Sequence, residues 1–200
     1  MNPPVIGVLA LQGAFNAHQR SLESIGAVTR EVKLPRDLVG LDGLVMPGGE
    51  STTMSQLLLS SGLFNEIAQL LSSGFPIMGT CAGLILLSST VLDARPDQQS
   101  FGALNIEVRR NGYGRQIDSF ETDLEVTGLL EPLTAVFIRA PIIESVGQDV
   151  TVVARYNDMP VAVTNSHILG AAFHPELVHD PRFHQLFLDM ISRSTYVRPF

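Results

Sequence analysis

The chain's only cysteine, Cys81, lies in Gly79-Thr80-Cys81-Ala82-Gly83, between a short apolar run and a second one. A lone thiol flanked by glycines where a strand turns into a helix has the spacing of a nucleophile elbow, with Cys in place of Ser. Such a turn lifts the sulfur above the carboxyl ends of the strands and points a helix N-terminus at it, which favours the thiolate. The competing reading is packing, since free cysteine is often a small buried hydrophobe.

A nucleophilic cysteine needs a base, and the base needs an orienting group. His174 in Phe173-His174-Pro175-Glu176 follows an apolar run that could end at the same sheet edge. Pro175 biases His174 toward an extended backbone, in which residues two apart face the same side, so Glu176 could fix the imidazole. His-Pro-Glu alone would be an ordinary surface turn; with the elbow it becomes a candidate triad of Cys81, His174 and Glu176. Acyl transfer also needs donors for an oxyanion. Met46-Pro47-Gly48-Gly49-Glu50-Ser51 offers backbone N–H groups after a strand, with a helix beginning at Ser51 or Thr52. This turn lacks the lysine of a phosphate-binding P-loop. His18 is expected either near the site or on a solvated helix face, and His167, His179 and His184 on turns and surface. No spacing suggests a metal site.

These residues need strand-end loops to carry them, and the first half of the chain supplies them. Pro4 to Ala10, Ala27 to Val32, Leu44 to Met46 and Pro76 to Met78 read as strands. Phe15 to Ile25, Ser51 to Leu59, Leu63 to Leu71 and Ala82 to Ser89 read as helices. Such alternation implies a mostly parallel sheet with helices on both faces. From Leu104 to Phe173 the chain becomes a series of short β-rich runs, expected as antiparallel additions to that core. A last helix is expected from Pro181 to Ile191 with Asp180 as its N-cap. Asp93 to Ser100 reads as a surface loop.

The 200 residues suit one domain, 1–200, with 45% hydrophobic and 16% charged residues. A net charge of −7 without basic clusters argues against nucleic acid and anionic membranes as partners. A single cysteine leaves no internal disulfide and suits a reducing cytoplasm. The first residues read as a strand rather than a signal peptide, and no apolar run approaches the roughly 18 residues of a membrane span.

The order of PGGE loop, G-x-C-x-G elbow and late HPE motif resembles the triad (class I) glutamine amidotransferases. Gly7 to Ala14 (GVLALQGA), Met46 to Thr53 (MPGGESTT), Arg110 to Gln116 (RNGYGRQ) and Ile138-Arg139-Ala140-Pro141 are similar to the subfamily of glutaminase subunits that serve pyridoxal 5′-phosphate synthases. The resemblance covers nearly the whole chain. It implies a three-layer, flavodoxin-like α/β fold and hydrolysis of L-glutamine to L-glutamate and ammonia through a γ-glutamyl thioester on Cys81. It implies that Gly49, Glu50, Ser51, Arg110, Ile138 and Arg139 contact the glutamine, and that N–H groups of Gly49 and Ala82 serve the oxyanion. It further implies that the partner is a (β/α)8-barrel synthase in a large hetero-oligomer, which receives the ammonia and activates the glutaminase by docking. Pyridoxal 5′-phosphate would be the product of that complex, and this chain would need no cofactor. Three other readings stay open: a glutaminase for another ammonia-using synthase, a DJ-1-like reactive-cysteine protein, and a non-catalytic scaffold.

Overall fold

A computed structural model describes residues 2–110 and 119–196. Residues 111–116 of the RNGYGRQ run and the last residues of the 192–200 tail lie outside the described residues. The strands of the first half are β1 (Val5–Leu9), β2 (Val28–Val32), β3 (Gly43–Met46) and β4 (Ile77–Thr80). The helices between and after them are α1 (Phe15–Ser24), α2 (Ser51–Ser60), α3 (Leu63–Ser72) and α4 (Ala82–Leu87). Then come β5 (Ser88–Val91), β6 (Leu104–Arg109), β7 (Ser119–Leu124), β8 (Leu133–Ile138), β9 (Ile142–Val146), β10 (Thr151–Tyr156), β11 (Met159–Thr164) and β12 (Ile168–Ala171), followed by α5 (Arg182–Arg193).

Seven strands form the main sheet in the order β10-β11-β12-β4-β3-β1-β2. The five from β12 to β2 pair in parallel, and β10 and β11 extend the β12 edge antiparallel. Taken in chain order, the parallel strands have the flavodoxin arrangement, whose ligands bind beyond the carboxyl ends of the strands. β3 and β4 are buried at every residue, as expected where helices cover both faces.

Two glycines assign the faces. A Cβ on Gly43 would strike Phe187 and Ile191 of α5. Met46, three residues further along the same strand, lies against Gly83 of α4. Residues an odd number apart in a strand point to opposite faces, so α5 and α4 cover opposite sides. Helix α1 packs with α5, and α2 packs with α3 and α4, completing three layers.

The second half differs from expectation in four places. The helix starting at Ala82 stops at Leu87, and Ser88 opens β5, which pairs in parallel with β6. Ile142–Val146 forms β9, unanticipated because its burial is irregular and its pattern weak. The HILGAAF run is not an antiparallel addition: β12 lies parallel to β4 inside the core sheet. Helix α5 begins after Pro181, yet Asp180 still accepts the Arg182 N–H at 3.0 Å, so the expected cap acts one residue earlier than the assigned N-cap.

A run of rings ties these additions to the core. Phe120 stacks on Phe137 at 4.6 Å, Phe137 contacts Phe173 at 5.7 Å, and Phe173 meets Phe183 of α5 at 5.2 Å. The segment leaving β12 is thereby gripped from β8 on one side and α5 on the other.

Candidate active site

Cys81 follows directly on β4 with φ 48° and ψ −103°, a backbone conformation that non-glycine residues rarely adopt. Its N–H donates to the Ala171 carbonyl at 2.8 Å, which fixes the end of β4 to the end of β12. Both flanking glycines are required by contact. A Cβ on Gly83 would stand 2.1 Å from the Met46 carbonyl oxygen, and one on Gly79 would stand 2.8 Å from the Gly83 backbone. The turn closes only because these two positions carry no side chain.

His174 leaves β12 with its N–H bonded to the Val136 carbonyl at 2.8 Å. The chain does not continue extended, as the sequence suggests. Pro175–Leu177 forms a single 3-10 turn, and that turn carries Glu176 back beneath the ring. His174 Nδ1 donates to Glu176 Oε1 at 2.8 Å. The other side of the imidazole faces Gly48, where an added Cβ would lie 2.4 Å from His174 Cε1 and 3.4 Å from Cys81 Cβ. Thiol and imidazole therefore meet over a bare Cα. Across this gap Cys81 and the imidazole interact both by hydrogen bonding and by charge.

Burial alone would push the His174 imidazole down. Cys81 and Glu176 outweigh it and raise the ring to about 10. Burial would likewise raise Glu176, yet His18 and His174 hold its carboxyl below the ordinary range. The site thus keeps a proton on His174 and a charge on Glu176 at neutral pH, with a cation against the sulfur.

The PGGES turn sits opposite. Gly13, after β1, has φ +92°, and a Cβ there would come within 1.8 Å of the Gly48 carbonyl oxygen, so the two turns touch through backbone. Gln12 accepts the Glu50 N–H at 3.3 Å and braces the turn. Glu50 itself is the N-cap of α2, accepting from the N–H groups of Thr52 at 3.1 Å and Thr53 at 2.7 Å. Partial burial opposes ionisation of this carboxyl, but the hydrogen bonds from Thr53 and Thr52 bring it down to about 2. Its carboxylate is committed, so what residue 50 offers a ligand is mainly backbone. Ala82, the first residue of α4, has an N–H with no partner inside the helix.

A cavity of about 350 Å³ joins these groups. Cys81, His174 and Glu176 line it together with Gly49, Glu50, Ser51, Arg110, Ile138 and Arg139. Ala82 lies buried beside it. The two arginines differ in state. Arg110 donates to Glu50 at 3.0 Å, Gln98 at 2.8 Å and Thr52 at 3.1 Å, with Gln98 coming from the 93–100 surface loop. Arg139 is exposed, has φ 43°, and makes no ion pair among the described residues. Arg139 is therefore the arginine with donors to spare for a carboxylate.

His18 takes the near-site alternative, His184 is not the surface residue expected, and Thr80 had no expectation attached. His18, Thr80 and His184 are fully buried behind Glu176. Among the described residues no cluster of His, Cys, Asp or Glu is arranged to hold a metal ion, and no helix is long and apolar enough to cross a membrane.

A flavodoxin-ordered sheet with a cysteine elbow after β4 and a His-x-Glu pair after β12 defines a glutamine amidotransferase of the class I type. The SNO glutamine amidotransferase family matches residues 8–193, and the chain belongs to that family. It is 51% identical over 188 residues to a pyridoxal 5′-phosphate synthase subunit PdxT from Mycobacteroides abscessus, covering 94% of this chain and 97% of the relative. A PdxT of the same description from Corynebacterium jeikeium is 50% identical over 190 residues, covering 94% of this chain and 97% of that one. A crystal structure of a glutamine amidotransferase superposes with a TM-score of 0.89 at 43% identity, covering 94% of this chain and 98% of that one. A chain of the PurLQS structure from Thermotoga maritima shares the fold, with a TM-score of 0.65 at 21% identity, covering 94% of this chain and 99% of that one.

Proposed function

We propose that this chain is the glutaminase subunit of a pyridoxal 5′-phosphate synthase, hydrolysing L-glutamine to L-glutamate and ammonia as one glutaminase domain. Near-full-length identity of about half to proteins of that description supports the assignment. The observation that carries the chemistry is the meeting of Cys81 and a Glu176-bonded His174 over Gly48.

In this reading Cys81 Sγ attacks the side-chain amide carbon of glutamine, and the carbonyl oxygen takes the displaced electron pair. N–H groups of Gly49 and Ala82 receive that oxyanion. His174, which holds its proton at neutral pH, passes it to the departing nitrogen as the C–N bond breaks. The resulting γ-glutamyl thioester is attacked by water, from which His174 takes a proton. The C–S bond then breaks and glutamate leaves. Glu176 keeps Nδ1–H of His174 facing away from the substrate throughout. Arg139 receives the α-carboxylate of glutamine, with Ser51, Ile138 and backbone of the Glu50 turn shaping the cavity around it and Arg110 holding that turn in place. Atoms balance with water as the only co-reactant, so the chain needs no cofactor, and pyridoxal 5′-phosphate is the product of the complex.

The partner in this proposal is a (β/α)8-barrel synthase that takes the ammonia within a large hetero-oligomer in the cytoplasm. The lone cysteine suits a reducing compartment. The glycine pair of the PGGES turn lets a peptide flip, so docking could align the oxyanion donors. The test is glutamate release by the chain alone and in the presence of the barrel synthase. A weak rate raised by the partner supports both halves. A high rate alone, unchanged by the partner, removes this synthase from the reading, and no glutamate under either condition removes the glutaminase.

A further inference from the structure

Glu176 has two carboxylate oxygens, and the triad uses one. Oε1 accepts from His174 Nδ1 at 2.8 Å. Oε2 is buried and has no aligned hydrogen bond among the described residues. The nitrogen nearest to it is His18 Nε2 from α1, at 3.4 Å, with both side chains fully buried. The same nitrogen lies 3.2 Å from Thr80 Oγ1, the residue before the nucleophile. His18 Nδ1 lies 2.9 Å from His184 Nε2 of α5, the two rings meeting edge on.

Hydrogen-bond logic assigns the protons along this chain. An ionised carboxylate only accepts, so with Oε2 at 3.4 Å and Thr80 Oγ1 at 3.2 Å the hydrogen of His18 is assigned to Nε2. In a neutral ring Nδ1 then accepts, and His184 Nε2 must carry the hydrogen between the two imidazoles. Burial holds both rings neutral, pushing His18 down and His184 down to about 3. His184 thereby selects the tautomer of His18. The ionisable groups facing Glu176 are His18, His174 and His184, and those facing His18 are Glu176, His174 and His184.

We propose that His18 is a positioning residue for the glutaminase reaction. Its Nε2–H is the polar hydrogen nearest the free oxygen of the Glu176 carboxylate, shared with Thr80, and its attraction for that oxygen sets the rotation that turns Oε1 toward His174. Without that hydrogen the buried carboxylate would rotate or take up a proton, and either change frees His174 Nδ1. The inference rests on the glutaminase reading and extends the working site to α1, which packs against the 3-10 turn carrying Glu176, and to α5 behind it.

Three variants measured in the complex with the barrel synthase test it. His18→Leu removes the donor. His18→Gln places an amide N–H near the position of Nε2, and His18→Asn places one near Nδ1 instead. The expected result is a kcat about 10- to 100-fold lower in the Leu and Asn variants with KM for glutamine little changed. The acid limb of the rate profile should move to higher pH in both, because Glu176 then protonates more easily. The Gln variant should recover most of the rate and the wild-type limb. If His18→Leu does not fold, the Asn and Gln pair carries the comparison. Equal rates for Asn and Gln, or losses without movement of the acid limb, overturn the inference. The wild-type complex run in parallel separates the two levels: no glutamate from it sinks the glutaminase reading, whereas active wild type with unchanged His18→Asn sinks only the role of His18.

Discussion

The Cα of Gly48 lies so close to the His174 imidazole that a methyl group added at residue 48 would stand 2.4 Å from Cε1. A side chain there must displace the ring, while the sheet beneath it needs no change. Gly48→Ala is expected to keep the fold and melting temperature nearly intact and to cut kcat by about 100-fold, the usual cost of a catalytic group misplaced by about an ångström. Activity close to wild type would mean that the ring and the turn can part without consequence.

Cys81→Ala should lower glutamine hydrolysis by at least about a thousandfold, since no other group on the cavity can form the thioester. Circular dichroism and binding to the barrel synthase should be unchanged. Retained activity would remove the thiol from the mechanism, and retained docking without turnover would exclude a scaffold that never catalyses.

Glu176→Gln removes a charge that raises His174 and replaces an acceptor with an amide. The imidazole should then lose its proton well below the wild-type value of about 10, so the alkaline limb of the rate profile moves to lower pH. Turnover should fall by about 100- to 10,000-fold, more than binding weakens, as for other triad orienting acids. A pH–rate series on both proteins checks the direction, and an unmoved alkaline limb would remove Glu176 from the triad.

The two arginines on the cavity should separate in their effects. Arg139→Ala should raise KM for glutamine by about 10- to 150-fold, the worth of one charge-assisted hydrogen bond, with kcat less affected. Arg110→Ala unties Glu50, Thr52 and Gln98, so its loss should also lower the melting temperature. Steady-state kinetics beside thermal melts read both, and the reverse pattern would exchange the roles.

Glu50 should contribute to stability in one pH window. A carboxylate held at about 2 instead of 4.5 adds stability above the higher value and loses it as pH falls toward the lower. Its side chain is 47% exposed, so solvent screens part of the effect, and the cap itself is worth about 1 kcal/mol. The urea midpoints of wild type and Glu50→Gln should differ most at pH about 6 and converge as pH falls to about 2.

The groups that line the cavity were legible because each announces itself within a few residues. Glycines flank the thiol, a proline separates the His-Glu pair, and a glycine pair ends a strand. Strand and helix alternation in the first half was legible for the same reason. His18 was not: on an amphipathic helix a histidine reads the same whether it faces water or a carboxylate, and its partner Glu176 lies far along the chain. His184 was misread as a surface residue because its neighbours Arg182 and Gln185 are polar, while the ring is fully buried. β5 and β9 were missed because a short strand in a small side sheet shows no clean alternation. Glu50 caps α2 through its own carboxylate, although Ser and Thr are the usual N-cap residues, so Glu-Ser-Thr-Thr reads as a helix that begins at Ser51 or Thr52.

The bond from the Cys81 N–H to the Ala171 carbonyl joins positions made far apart in time during synthesis. β12 slots beside β4 only after the long excursion through β5 to β11 has been made, and His174 and Glu176 follow it. A nascent chain that has already exposed its cysteine therefore holds neither base nor orienting acid. Glutamine cleavage switches on late, when the last core strand docks, and truncated chains that end before it carry a thiol but no hydrolase to drain the cellular pool.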